Sequence, residues 1–168
     1  MEHWNIFFPQ AIDAKRAKKV HIEKMIRRLA WIAAIDKFQH VIYENPDHTV
    51  AEREEAWKSI INAFSDQVTN WDGYEPIKYT LWQRQLHLFE VPFYYIEYGI
   101  AQLGAIAVWK NYQEHPTKAL QAYKNALQLG YTRPLPMMYA TAGIQLDFGV
   151  AHLRYLMEFL REEWNKLR

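Results

Sequence analysis

With 168 residues, half of them hydrophobic and 15% aromatic, the chain has the length for one domain and the apolar material for a real core. Its 20 Lys+Arg against 19 Asp+Glu leave a formal net charge of +1, which excludes a global electrostatic signature for DNA, RNA or an anionic membrane. The lack of cysteine excludes disulfides, cysteine nucleophiles and thiolate metal sites, and is compatible with an intracellular location.

The opening Met1 to Pro9 has no basic region followed by a long apolar run, as a secretory signal would. The longest weakly polar stretch, Gly99 to Trp109, is too short for a bilayer, which takes about 20 residues. A soluble, cytoplasmic protein that binds neither nucleic acid nor membrane is expected.

A first helix is predicted from Ala11 to Tyr43, with a basic early surface (Lys15, Arg16, Lys18, Lys19) and an apolar series through Val20, Met25, Ile26, Leu29, Ile32, Ala33 and Ile35. Asn45-Pro46-Asp47 ends it. Thr49 and Glu52 read as a capping box opening a second helix to about Val68, which buries Ala56, Trp57, Ile60, Ile61 and Phe64. Asn70 to Gly73 marks a turn, and a third helix is expected over Ile77 to Leu88.

Pro92 fits the first position of a fourth helix reaching about Tyr112, because its missing N–H is harmless there. Pro116 starts a fifth, closed by Gly130 in the C′ position. A short helix to Ala142, ended by Gly143, follows the break at Arg133-Pro134-Leu135-Pro136. The last helix, Val150 to Leu167, places Leu153, Leu156, Met157, Leu160 and Trp164 on one side. No alternating run reads as a strand. The expectation is an all-α, bundle-like array of about six or seven helices in a single domain over residues 1–168.

The seven histidines, His3, His21, His40, His48, His87, His115 and His152, include no pair four apart on one expected helix, and H-E-x-x-H is absent. No metal site is therefore assigned. Glu90 and Glu97 lie near the aromatic segment but read as solvated acids, and Gly99 and Gly104 read as points of close helix packing. The unusual stretch runs from Trp82 to Trp109, where His87 shortly precedes Tyr94, Tyr95 and Tyr98. A buried hydroxyl left without a partner costs roughly 1–3 kcal/mol, so three phenols in a helical core need an explanation. One is a histidine and tyrosines wedged between helices with their polar atoms satisfied. The other is an imidazole and phenols that together hydrogen-bond a polarised carbonyl, with Tyr94 and Tyr98 on one helix face.

The segment His87-Leu-Phe-Glu-Val-Pro-Phe-Tyr-Tyr-Ile-Glu-Tyr98, followed by Ala101-Gln102, resembles the C-terminal substrate-binding segment of oligoendopeptidase F and Pz-peptidase-type zinc metallopeptidases, relatives of thimet oligopeptidase. Met1-Glu-His-Trp, Phe38 to Pro46, Trp82-Gln-Arg-Gln, and Gly130 to Pro136 with Ala142-Gly143 resemble the same family in the same order, so the likeness covers nearly the whole chain. It implies a helical, two-lobed fold and zinc-dependent cleavage of short oligopeptides. It also implies roles: His87 as hydrogen-bonding imidazole, Tyr98 as oxyanion donor, Tyr94 and Tyr95 as contacts to the substrate backbone.

The family's zinc-binding histidines, catalytic glutamate and third ligand lie upstream of the matched region, and Glu2 is not that third ligand. The chain is thus expected to hold no cofactor itself, to be inactive alone, and to need an upstream zinc-binding fragment or chain. Trp4, Phe7 and Phe8 are expected to belong to an apolar surface through which the chain alone would self-associate. A reading from another class is a non-catalytic helical module whose aromatic groove holds a peptide or a partner helix.

Overall fold

The computed structural model describes residues 3–168; Glu2 lies outside them. Among the described residues there are nine α-helices and no strands. They are α1 (Trp4–Phe7), α2 (Ala11–Glu44), α3 (Val50–Phe64), α4 (Glu75–Thr80), α5 (His87–Glu90), α6 (Ile96–Glu114), α7 (Pro116–Gln128), α8 (Leu135–Thr141) and α9 (Val150–Asn165), with a 3₁₀ turn at Leu81–Arg84. The fold is all-α, as the periodicity implies. The helices group into two compact units, one comprising Ile26–Gly99 and the other the chain up to Met25 and again from Ile100 to Arg168.

The Ile26–Gly99 unit is built on aromatic packing. Ala34, Ile35 and Phe38 of α2 meet Trp57, Ile60 and Ile61 of α3, with Trp82 and Leu88 completing the cluster. Trp57 is fully buried, with ring centroids 5.2 Å from Phe38 and 5.8 Å from Trp31, both edge-on. Its indole N–H donates to Lys78 O at 3.2 Å, so the ring is buried without a stranded donor. Removing such a side chain typically costs about 3–5 kcal/mol.

Helix α3 begins where the capping box places it. Thr49 Oγ1 accepts from Glu52 N at 3.2 Å and Glu52 Oε2 accepts from Thr49 N at 2.8 Å. It stops at Phe64 and not near Val68, because Asp66 Oδ1 accepts from the N–H groups of Val68 and Thr69 and from the Thr69 hydroxyl, offering the backbone a local alternative to helix.

The expected helix over Ile77 to Leu88 is broken into α4, the 3₁₀ turn and α5. Trp82 and Leu88 both enter the same core. On one continuous helix, positions six apart point roughly 120° away from each other, so a continuous helix could not bury both in that cluster. Val20 and Ile26, assigned to the apolar series of the first helix, are exposed, whereas Ile22, Ile32 and Ile35 are buried.

In the other unit, Leu156, Phe159 and Leu160 of α9 are buried together with Ile106 and Ala107 of α6 and Ile22 of α2, and Trp109 meets Phe159 edge-on at 4.8 Å. The Trp164 indole N–H donates to Glu23 at 3.0 Å, and the Lys19 ammonium lies 4.3 Å from its ring centroid. Helix α7 starts at Pro116 and packs against α8; Gly130, at φ 52°, closes it as expected. Gly104 comes so close to Tyr139 that an added Cβ would lie 2.7 Å from the phenol oxygen, which itself donates to Ile100 O at 3.0 Å.

Candidate functional site

His87 opens the four-residue α5, and Tyr98 lies in the first turn of α6. A tight reversal between them brings the two together. The Tyr94 N–H donates to Val91 O at 3.2 Å across Pro92 and Phe93, and Phe93 has φ 58°. Proline at the second position and positive φ at the third are the pattern of a type II turn, which normally takes glycine or asparagine where Phe93 stands. A non-glycine residue held in that region carries strain of roughly 1–3 kcal/mol.

The surroundings hold it there. The Phe93 N–H donates to the buried Gln39 Oε1 at 2.9 Å, and the Phe93 ring packs on His40 at 4.9 Å and Tyr43 at 5.0 Å between centroids. Pro92 therefore serves a turn and does not begin the next helix, which starts at Ile96. Tyr94 and Tyr95 precede α6 and lead into it, with the Glu97 N–H donating to Tyr94 O at 3.0 Å and the Tyr98 N–H to Tyr95 O at 3.3 Å.

The structure gathers all four residues singled out by the sequence. The His87 ring centroid is 6.2 Å from Tyr94, nearly parallel at 13°, 5.1 Å from Tyr95 and 5.6 Å from Tyr98. Tyr98 is in turn 5.8 Å from Tyr94 and 5.3 Å from Tyr95. His87 Nε2 lies 3.1 Å from the Tyr98 oxygen and His87 Nδ1 lies 2.8 Å from Gln85 Nε2. Tyr94 and Tyr98 are 47% and 43% exposed, whereas Tyr95 is part-buried and packs against the Trp57 core.

Glu90 and Glu97 are exposed as expected and form no part of the cluster. Sequence reasoning passed over Gln85, Trp31 and Gln39. Trp31 and Gln39 contact the cluster's support from 54 positions away, and only the Pro92 turn hints that a support is needed.

An acidic cleft of about 490 Å³ near His48, Glu44 and Glu52 lies in the same unit but includes none of the four residues. Among the described residues, no group of three or more His, Cys, Asp or Glu side chains could hold a metal ion, and no helix is long and apolar enough to cross a membrane.

The backbone is similar to two solved peptidases. One is an X-ray structure assigned as oligoendopeptidase F, 32% identical over 91% of this chain with a TM-score of 0.80. The other is PZ peptidase A with an inhibitor, 29% identical over 92% of this chain with a TM-score of 0.82. The chain spans 27% of the length of each. No curated protein sequence matches it. The profile of peptidase family M3 matches residues 1–157, most of the chain. From this match, and from the fold it shares with those two enzymes, the chain is a member of peptidase family M3.

Proposed function

We propose that this chain supplies the substrate-facing, hydrogen-bonding wall of an oligopeptidase site, and that its ligand is the backbone of a short peptide. The observation that carries the reading is the convergence of the His87, Tyr94, Tyr95 and Tyr98 rings, with Tyr94 and Tyr98 exposed and His87 and Tyr98 in hydrogen-bond contact at 3.1 Å. In this reading Tyr98 donates to the carbonyl oxygen as negative charge grows on it, and His87 orients that phenol. Tyr94 and Tyr95 lie against the peptide chain. Preorganised donors of this kind act without reorganising at the moment of reaction.

Family M3 is zinc-dependent, but the described residues do not offer a ligand set for that ion. The zinc would be held by residues other than these, and none of the roles given to this chain's side chains runs through the metal. We accordingly propose that the chain by itself hydrolyses nothing and acts with a zinc-binding partner segment. A cysteine-free chain of this kind suits the cytoplasm. Ile6 and Phe7 are 69% and 77% exposed, which supports self-association of the isolated chain, measurable by light scattering.

The test is complementation. The purified chain is mixed with a family M3 fragment that carries H-E-x-x-H, and turnover of a quenched peptide is followed. A gain over the fragment alone, abolished by His87→Ala, is expected; no gain would remove the catalytic reading. Peptide binding without any gain would instead favour the non-catalytic helical module.

A further inference from the structure

The roles of the hydrogens in this cluster can be read from its far end. The Trp31 indole N–H lies 3.2 Å from Gln85 Oε1. An indole nitrogen can only donate, so this contact identifies which end of the Gln85 amide is oxygen. The amide nitrogen is then the end that faces His87, 2.8 Å from Nδ1. An amide N–H also only donates, so Nδ1 must present its lone pair. A neutral imidazole carries one ring proton, which leaves it on Nε2, 3.1 Å from the Tyr98 oxygen. Nε2–H donates to that oxygen, and the phenol's own proton is left for another acceptor. Trp31 and Gln85 are half-buried while Tyr98 is exposed, so the relay runs from the protein's interior towards its surface.

We propose that Gln85 and Trp31 are positioning residues that hold His87 as the Nε2–H tautomer, so that the Tyr98 hydroxyl is kept as an outward donor for a peptide carbonyl. The peptide as acceptor rests on the function proposed above; the tautomer does not.

The test uses the full chain with isotopically labelled histidine. Two-bond proton–nitrogen spectra of the neutral imidazoles distinguish the tautomers, and the His87 signals are assigned by their loss in His87→Asn. The wild type is expected to show Nε2–H. Gln85→Glu keeps the shape and the Trp31 contact but puts an acceptor opposite Nδ1, so it should reverse the ring to Nδ1–H. Trp31→Phe frees the amide to turn over and should give a mixture. Tyr98→Phe should leave the tautomer unchanged, because the ring is set from the Gln85 side, and this variant keeps the test decisive if Gln85→Glu does not fold.

An Nδ1–H ring or an even mixture in the wild type, a reversal caused by Tyr98→Phe, or an unmoved ring in folded Gln85→Glu would overturn the proposal. Titration of a hexapeptide completes it. Gln85→Glu with a reversed ring should bind about three- to tenfold more weakly, the range of one hydrogen bond. A reversed ring with unchanged peptide binding leaves the relay standing and overturns the peptide as its acceptor.

Discussion

The backbone N–H of Phe93 and the side chain of Gln39 are hydrogen-bonded at 2.9 Å although they lie 54 positions apart, and this contact holds the only positive-φ non-glycine residue among those described. Gln39 is 1% exposed, and its amide nitrogen has no partner among the described residues. A carboxylate in its place would keep the acceptor for Phe93 but would be buried with little else to solvate it. Burial disfavours the charged form, so Gln39→Glu should titrate above the ordinary glutamate value of about 4.3. A group raised in the folded state destabilises once pH climbs past its unfolded value, where folding must either desolvate the charge or bind a proton. The Tm deficit of Gln39→Glu relative to wild type should therefore be small in acid and widen towards neutrality. Thermal unfolding across that range checks it, and a constant deficit would show that the site is not dry.

Tyr98→Phe isolates the hydroxyl that faces His87. In the complemented enzyme it should lower kcat by about 10²–10³, the usual cost of losing one oxyanion donor, with KM little changed. Tyr94→Phe and Tyr95→Phe should act more weakly and mainly on KM, because neither is in hydrogen-bond contact with His87 as Tyr98 is. Steady-state kinetics on the three variants separates the roles; equal losses for all three would count against assigning the donor to Tyr98.

Long helices were legible because their signals are local. Proline at the start of α7, glycine at its end, the Thr49–Glu52 box and the apolar stripe around Leu156 and Leu160 all act within a few residues. The candidate site residues came from another source: the phenols near a histidine left two readings open, and the resemblance of the His87 to Tyr98 segment to a peptidase family singled them out. Their geometry was not visible. Phe93 stands where a type II turn usually takes glycine, so residue type gives no warning, and its supports come from α2. The break after Thr80 likewise follows from the need to bury Trp82 and Leu88 in one core, a demand set by α2 and α3 and not by the segment itself.

The capping box makes a second pH prediction. Hydrogen bonds from the Thr49 backbone and then its side chain hold the Glu52 carboxyl below its ordinary value of 4.5. A depressed carboxylate stabilises the fold above that value and loses its contribution as pH falls through the folded-state value. Thr49→Ala removes the cap and should cost about 1 kcal/mol at neutral pH. Its deficit against wild type should shrink on acidification below 4.5, as the wild type loses the same contribution. Chemical denaturation at neutral and acidic pH reads this directly, and a deficit that grows in acid would contradict the assignment.

Gly104 offers a test of packing in the other unit, where opposing effects must be weighed. Replacing glycine by alanine inside α6 gains about 1 kcal/mol of helix propensity. The new Cβ, however, would lie 2.7 Å from the Tyr139 oxygen and 3.0–3.1 Å from its ring. The ring is the stiff end of a part-buried side chain anchored to Ile100 O at 3.0 Å, so relief requires it to move and that bond to lengthen or break. Overpacking costs roughly 1–3 kcal/mol and a lost hydrogen bond about 1 more, so after the propensity gain the clash should win by about 1–3 kcal/mol. In a Tyr139→Phe background the closest contact and the bond are already gone, and Gly104→Ala should then be nearly neutral. A double-mutant cycle by denaturant unfolding measures the coupling. Additive losses would mean that Gly104 is needed for a reason other than its contact with Tyr139.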